Sequence, residues 1–198
     1  IRIDWRNWRV ILIRAFAELA STMLFLNALA QMPLANVSAI LQSLPLTVTM
    51  FAAMFFGEAV GWRRWSAILV GFIGVLIIIR PGSDGFNEYA VLALIAVGFI
   101  TLRDAITRRL ARSVPSLFVA FVSAIPVFLF GGAMTVTTGW TPVSWSMGII
   151  VTVAAISITC GYLFAVMAMR IGDISFVAPF RYTGMIWAIL FGFLLFGN

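Results

Sequence analysis

Histidine and lysine are absent from this sequence, and cysteine occurs once, at Cys160. Without histidine the chain lacks the commonest metal ligand and general base. A single cysteine excludes an internal disulfide and any cysteine-rich metal site. Charge is scarce as well. Only 10% of the residues are charged, against about 25% in a soluble domain. Soluble linkers and low-complexity tracts are missing, as are a nucleotide-binding loop and a Ser/His pair. The sequence calls for no cofactor, and these absences argue against an enzyme.

Apolar residues fill the space instead. They make up 63% of the 198 residues, more surface than one water-soluble core can hide. Lipid must cover the remainder, so the chain reads as an all-α, polytopic transmembrane bundle. Its formal net charge of +6 comes from thirteen arginines. In a soluble protein that balance would suggest nucleic acid. Here the arginines sit between apolar runs, so topology explains them and no nucleic-acid partner is expected.

A span needs about 20 mostly apolar residues. Seven stretches qualify: Val10–Ala30, Leu34–Phe56, Trp65–Ile79, Tyr89–Thr107, Ser116–Thr137, Trp145–Met169 and Ile174–Phe196. The third is the shortest, and Gly57 is expected to end the second. Arg14 and Glu18 interrupt the first run, which argues against a signal peptide. Links with several arginines alternate with links that have few. Arg2, Arg6 and Arg9 precede the first span, Arg63 and Arg64 follow the second, and Arg108, Arg109 and Arg112 follow the fourth. Arg170 follows the sixth, whereas Arg80 shares its link with Asp84 and Glu88. The start of the chain is therefore expected in the cytoplasm.

A 140-residue shift pairs Gly57 with Gly197, Phe56 with Phe196 and Val37 with Val177. These identities barely exceed chance in so apolar a chain. Topology says more. An odd number of spans separates the first span from its partner, the sixth, so the copies cross the bilayer in opposite senses. That is an inverted-topology repeat, as in many secondary transporters.

Specific residues then point to a family. The first copy reads Ala28-Leu29-Ala30-Gln31-Met32-Pro33-Leu34-Ala35, then Pro45, then Phe56-Gly57-Glu58. Gly71-Phe72-Ile73-Gly74 follows, and the second copy has Ala178-Pro179-Phe180-Arg181-Tyr182-Thr183 before Phe196-Gly197. This pattern resembles the drug/metabolite transporter superfamily of the EamA type. Asn198 departs from the Glu that usually closes the second motif. The resemblance implies ten helices in two repeats of five, of which this chain would hold the third to the ninth. Residues 1–80 would then be the last three helices of the first repeat, and residues 81–198 the first four of the second.

Charges inside the bilayer cost about 2.5–3.5 kcal/mol each on insertion scales, so each needs a reason. Glu18 and Arg181 lie about 12 and 10 Å in from the cytoplasmic side, at about 1.5 Å of rise per residue. Arg14 and Glu18 share a helix face at i,i+4 and are expected to pair. Arg103 and Asp104 are expected to snorkel to the interface. Arg181 has no acid nearby on its own helix, so it is expected to meet Glu18 or a polar cavity. Gln42 and Tyr182 are equivalent under the shift and suit a central cavity. The substrate-path candidates are therefore Arg181, Tyr182, Gln42, Glu18 and Arg14, with Asn27, Asn36 and Trp187 weaker. Against this stands plain structure: ion pairs that orient helices, and aromatics such as Phe180 that pack or face lipid. Gly71, Gly74, Gly131 and Gly132 are expected to let helices approach closely. Glu58 sits at an interface.

The reading is a secondary transporter of a small anionic or zwitterionic metabolite in a bacterial inner membrane, working by alternating access. Its partners would be the solute and the lipid bilayer, and a homodimer is compatible with the pattern. A non-transporting membrane scaffold is the alternative, and an intramembrane enzyme the third choice. For the enzyme, Glu18 and Asp104 would have to serve as a carboxylate pair, yet each has an arginine neighbour that would hold it ionised.

Overall fold

The computed structural model describes residues 4–32, 34–79, 88–111, 113–139, 142–171 and 174–183. Helices dominate: α1 (Trp5–Gln31), α2 (Leu34–Leu41), α3 (Leu44–Phe56), α4 (Trp62–Ile79), α5 (Glu88–Thr107), α6 (Ser116–Thr138) and α7 (Trp145–Ile171). A short α8 (Ile174–Val177) continues into a 3₁₀ turn, Ala178–Tyr182. Among the described residues five stretches are long and apolar enough to cross a membrane: Trp5–Gln31, Asn36–Phe56, Glu88–Thr107, Ser116–Thr138 and Trp145–Ile171. The chain is thus a multi-pass membrane protein, and the all-α expectation holds. Residues 184–198 of the seventh expected span, including Trp187 and the Phe196-Gly197 motif, lie outside the described residues.

The second span is not one continuous helix. Pro45 has no N–H to donate, and its ring would crowd the carbonyl of Leu41. The chain therefore turns at Gln42-Ser43 before α3 begins. The Ser43 N–H donates to the Ile40 carbonyl at 3.0 Å, and its hydroxyl to the same carbonyl at 2.6 Å. Gly57 ends α3 as expected, at φ +66°, and its N–H reaches the Ala52 carbonyl. Pro126, by contrast, is accommodated inside α6.

The spine is the α1–α5 pair. Ala15, Ala17 and Ala28 of α1 and Ala90, Ala93, Ala96 and Ala105 of α5 are all buried. Small side chains let two helix backbones approach closely, which is how membrane helices gain packing contact. The two run antiparallel: the Asn7 side chain accepts from the Ala111 N–H at 3.1 Å, while Glu18 meets Arg103 further in. α6 lies parallel to α1, with Trp8 edge-on to Phe118 at 5.8 Å. α7 runs the opposite way, because Arg170 near its end donates to the Val114 carbonyl at 2.7 Å. α3 packs on α5, on α8 and on the 3₁₀ turn. Of the four glycines expected at close approaches, only Gly71 is one. A Cβ there would sit 2.1 Å from Leu46 Cδ1, whereas at Gly74, Gly131 and Gly132 it would meet nothing within 4 Å among the described residues.

The bundle is apolar outside. Val136, Trp145 and Ile150 are largely exposed, a surface suited to hydrocarbon rather than water. The arginine-bearing ends gather on one face. Arg108 pairs with Glu58 across the α3–α4 and α5–α6 links, and the Phe56 ring lies under both Arg108 and Arg109. By the arginine rule that face is expected to be the cytoplasmic one. A cysteine at Ser144, ahead of α7 at the other end, is therefore expected to react with an impermeant maleimide from outside intact cells once Cys160 is replaced. Labelling only from the cytoplasmic side would overturn the orientation.

Candidate functional site

One polar network threads the interior, with an apolar cluster on either side of it along α1. Ile11, with Leu110, Val114, Val119 and Val166, packs toward the arginine end. Ala28, with Val37, Ile40, Ala93 and Val97, packs toward the other end. Between them Arg14 is almost completely buried, 1% exposed. Its Nε donates to Thr107 Oγ1 at 2.9 Å. Its Nη1 donates to the Tyr162 hydroxyl at 2.7 Å and to the Ser123 hydroxyl. The Tyr162 hydroxyl in turn donates to Glu18 Oε2 at 2.5 Å. Glu18 also accepts from Arg103 Nη1, 3.0 Å from each carboxylate oxygen. Arg103 Nε donates to Asp104 Oδ1 at 2.9 Å, and Asp104 Oδ2 accepts from Arg181.

The result is a continuous relay from α6 through α1, α7 and α5 to the 3₁₀ turn. It holds three guanidiniums and two carboxylates, a net charge of +1. The Tyr162 ring is also caught between two cations: the Arg14 and Arg103 guanidinium carbons lie 5.2 and 5.7 Å from its centroid. Every buried side-chain nitrogen and oxygen among the described residues has a partner. This satisfaction is what makes five embedded charges tolerable in a low-dielectric interior.

Several expectations are corrected here. Arg14 does not pair directly with Glu18. Three hydroxyls take up its guanidinium, and the Tyr162 hydroxyl joins the two residues. Arg103 and Asp104 do not snorkel to the interface, because α1 packs along α5 and turns them toward Glu18. Arg181 faces the bundle but meets Asp104 rather than Glu18, whose carboxylate Arg103 already holds. Gln42 sits half-buried in the α2–α3 turn and Tyr182 is exposed; neither joins the relay. Asn27 is exposed and donates to its own helix at Met23, and Asn36 is exposed. Thr107, Ser123 and Tyr162 were not singled out in the sequence. Tyr162 carried a readable signal, a phenol placed mid-span rather than at an interfacial belt.

A cleft of about 550 Å³ opens onto the relay between α1, α6 and α7. Leu117, Phe121, Val127, Phe128 and Ile158 make apolar walls, and Glu18, Thr22, Thr159 and Tyr162 supply its polar groups. A pocket of this size, mostly apolar with few polar groups, suits a small organic solute. Among the described residues no cluster of three or more potential metal ligands occurs.

Comparison with known proteins adds a second line. Residues 1–80 match the EamA-like transporter family. A riboflavin transporter of Vibrio cholerae is 28% identical over 199 residues, covering all of this chain and 66% of its own length. An S-adenosylmethionine uptake transporter of Rickettsia conorii is 25% identical, over 84% of this chain and 56% of its own. A pseudopaline exporter of Pseudomonas aeruginosa is 24% identical, over 96% of this chain and 67% of its own. The chain thus spans 56% to 66% of the length of the first two relatives. No solved structure matches it.

Proposed function

We propose that this chain, similar over residues 1–80 to the EamA-like transporter family, forms the solute-carrying core of a secondary transporter for a small metabolite. The observation that carries this reading is the cleft between α1, α6 and α7, whose polar end is the Glu18–Tyr162 hydrogen bond. Solute entering the cleft meets a relay that links α1, α5, α6, α7 and the 3₁₀ turn. Competition for Glu18 or Tyr162 would loosen α7 from α1, the kind of change alternating access needs. The names of the relatives, transporters of riboflavin, S-adenosylmethionine and pseudopaline, support a metabolite rather than an inorganic ion as cargo.

Residues 1–80 close a first repeat and residues 81–198 open a second in this reading, and the family match over residues 1–80 supports that boundary. The opposite directions of α1 and α7 support the inverted relation between the two. The bacterial relatives favour an inner-membrane location. The cargo and the lipid bilayer are the partners, and no catalytic step is assigned. A scaffold would keep the relay only for packing.

Tyr162→Phe separates the two. The substitution keeps the ring and removes the hydroxyl, leaving Arg14 and Glu18 each one partner short. In vesicles holding the full-length protein, uptake of a carried solute is expected to fall about tenfold or more, equivalent to about 1.4 kcal/mol. Riboflavin and S-adenosylmethionine are the first solutes to try. Stability is expected to drop by only about 1–3 kcal/mol, the cost of an unsatisfied buried group. Undiminished uptake by a folded Tyr162→Phe protein would remove the relay from the transport path.

A further inference from the structure

The hydrogen-bonding sense of the cleft says what it takes, given that the cleft carries the solute. Its four polar residues all present lone pairs. The Thr22 hydroxyl spends its proton on the Glu18 carbonyl at 2.8 Å, and the Thr159 hydroxyl spends its own on the Ala155 carbonyl at 2.7 Å. The Tyr162 hydroxyl proton goes to Glu18. Glu18 is a carboxylate with about four acceptor positions, of which three are used by Arg103 and Tyr162. The walls belong to α1, α6 and α7, whose mid-helix N–H groups serve their own helices. The arginines of the relay stand behind Glu18 and Tyr162, and among the described residues none lines the cleft.

We propose that the cleft selects solutes with an aromatic or aliphatic body and N–H donors, neutral or cationic, and rejects carboxylates of the same shape. Apolar walls hold the body, including Phe121 and Phe128. The donors meet Glu18 and the threonine oxygens. A carboxylate there would set its lone pairs against those of Glu18, with no donor to satisfy either, and a buried polar group without a partner is costly. One opposing effect has to be beaten: the relay's net +1 charge attracts anions at longer range. Direct contact decides here, because among the described residues no guanidinium lines the cleft. The sequence-based case for an anionic group rested on Arg181, and Asp104 engages that residue. The zwitterionic part of that expectation keeps an amine that this cleft accepts.

Two near-isosteric probes test the proposal. Indole-3-acetamide and indole-3-acetate differ in an amide NH₂ against a carboxylate oxygen, and tryptamine adds a cationic donor. Binding to the purified full-length protein is measured by titration calorimetry. The amide and the amine are expected to bind about tenfold or more tightly than the acetate, equivalent to about 1.4 kcal/mol. Glu18→Gln should erase the preference, but it also strips Arg103 of a partner and risks the fold. Thr159→Val is the safer variant, since it removes one acceptor with little change of shape. It is expected to weaken the amide and leave the acetate unchanged. Equal binding, preference for the acetate, or binding of no probe overturns the donor rule. Ala124→Trp, which fills the cleft, tells that failure from the larger one. If acetate binds better and Ala124→Trp abolishes its binding, the cleft remains the solute site and only the donor rule falls. If Ala124→Trp changes neither binding nor transport, the transport reading falls too.

Discussion

Asp104→Asn is expected to destabilise the folded protein by about 3–5 kcal/mol, the usual cost of breaking a buried ion pair from one side. Asp104 is 4% exposed and serves two cations at once, Arg103 on Oδ1 and Arg181 on Oδ2. With the carboxylate gone, three guanidiniums share Glu18 alone, and the relay's charge rises from +1 to +2. Nothing nearby can compensate, since the remaining partners of Arg14 are neutral hydroxyls. An exposed pair would cost only about 0–1 kcal/mol, so the size of the loss distinguishes a buried relay from an interfacial one. Adding Arg181→Gln returns the charge to +1 and is expected to recover part of the loss. The check is the unfolding free energy of the full-length protein in detergent. A loss below about 1 kcal/mol in Asp104→Asn would mean that the acid is hydrated.

How much of this could be read beforehand depends on which coordinate is asked for. Position along a helix was accessible, because helical rise converts residue number into distance from the helix end. Arg14 and Glu18 were expected well inside the first span, and they are. The gathering of arginines at one end was accessible too, and so was the stop at Gly57, which adopts φ +66°; which side of the membrane that end faces rests on the labelling experiment at Ser144. Pro45 was visible as a mid-span proline, although not as a break that divides α2 from α3. The direction each side chain takes around its helix was not accessible. It depends on which helices become neighbours, and that is set by alanine-lined packing of α1 on α5 rather than by any motif. Hence Arg103 was expected to escape to the interface and instead caps Glu18. The acid for Arg181 was expected on α1 and lies on α5. Tyr162 stands out in the sequence only as a mid-span phenol, with no spacing that ties it to a partner; its role comes from Arg14 and Glu18, more than 140 residues away.

Filling the cleft gives the other large effect and reaches the transport claim directly. Ala124 lines the cleft on α6, beside Phe121 and opposite Ile158 and Thr159 of α7. A tryptophan there puts an indole where the solute body would lie, without touching Arg14, Glu18 or Tyr162 by design. Val136 is also on α6 but is 86% exposed and outside the cleft, so Val136→Trp controls for the added ring. The measurement is the initial rate of uptake of the carried solute by vesicles containing equal amounts of folded full-length protein. Ala124→Trp is expected to reduce that rate about tenfold or more, equivalent to about 1.4 kcal/mol, while Val136→Trp transports at the unaltered rate. Equal, undiminished transport by both would contradict the assignment of this cleft as the solute path.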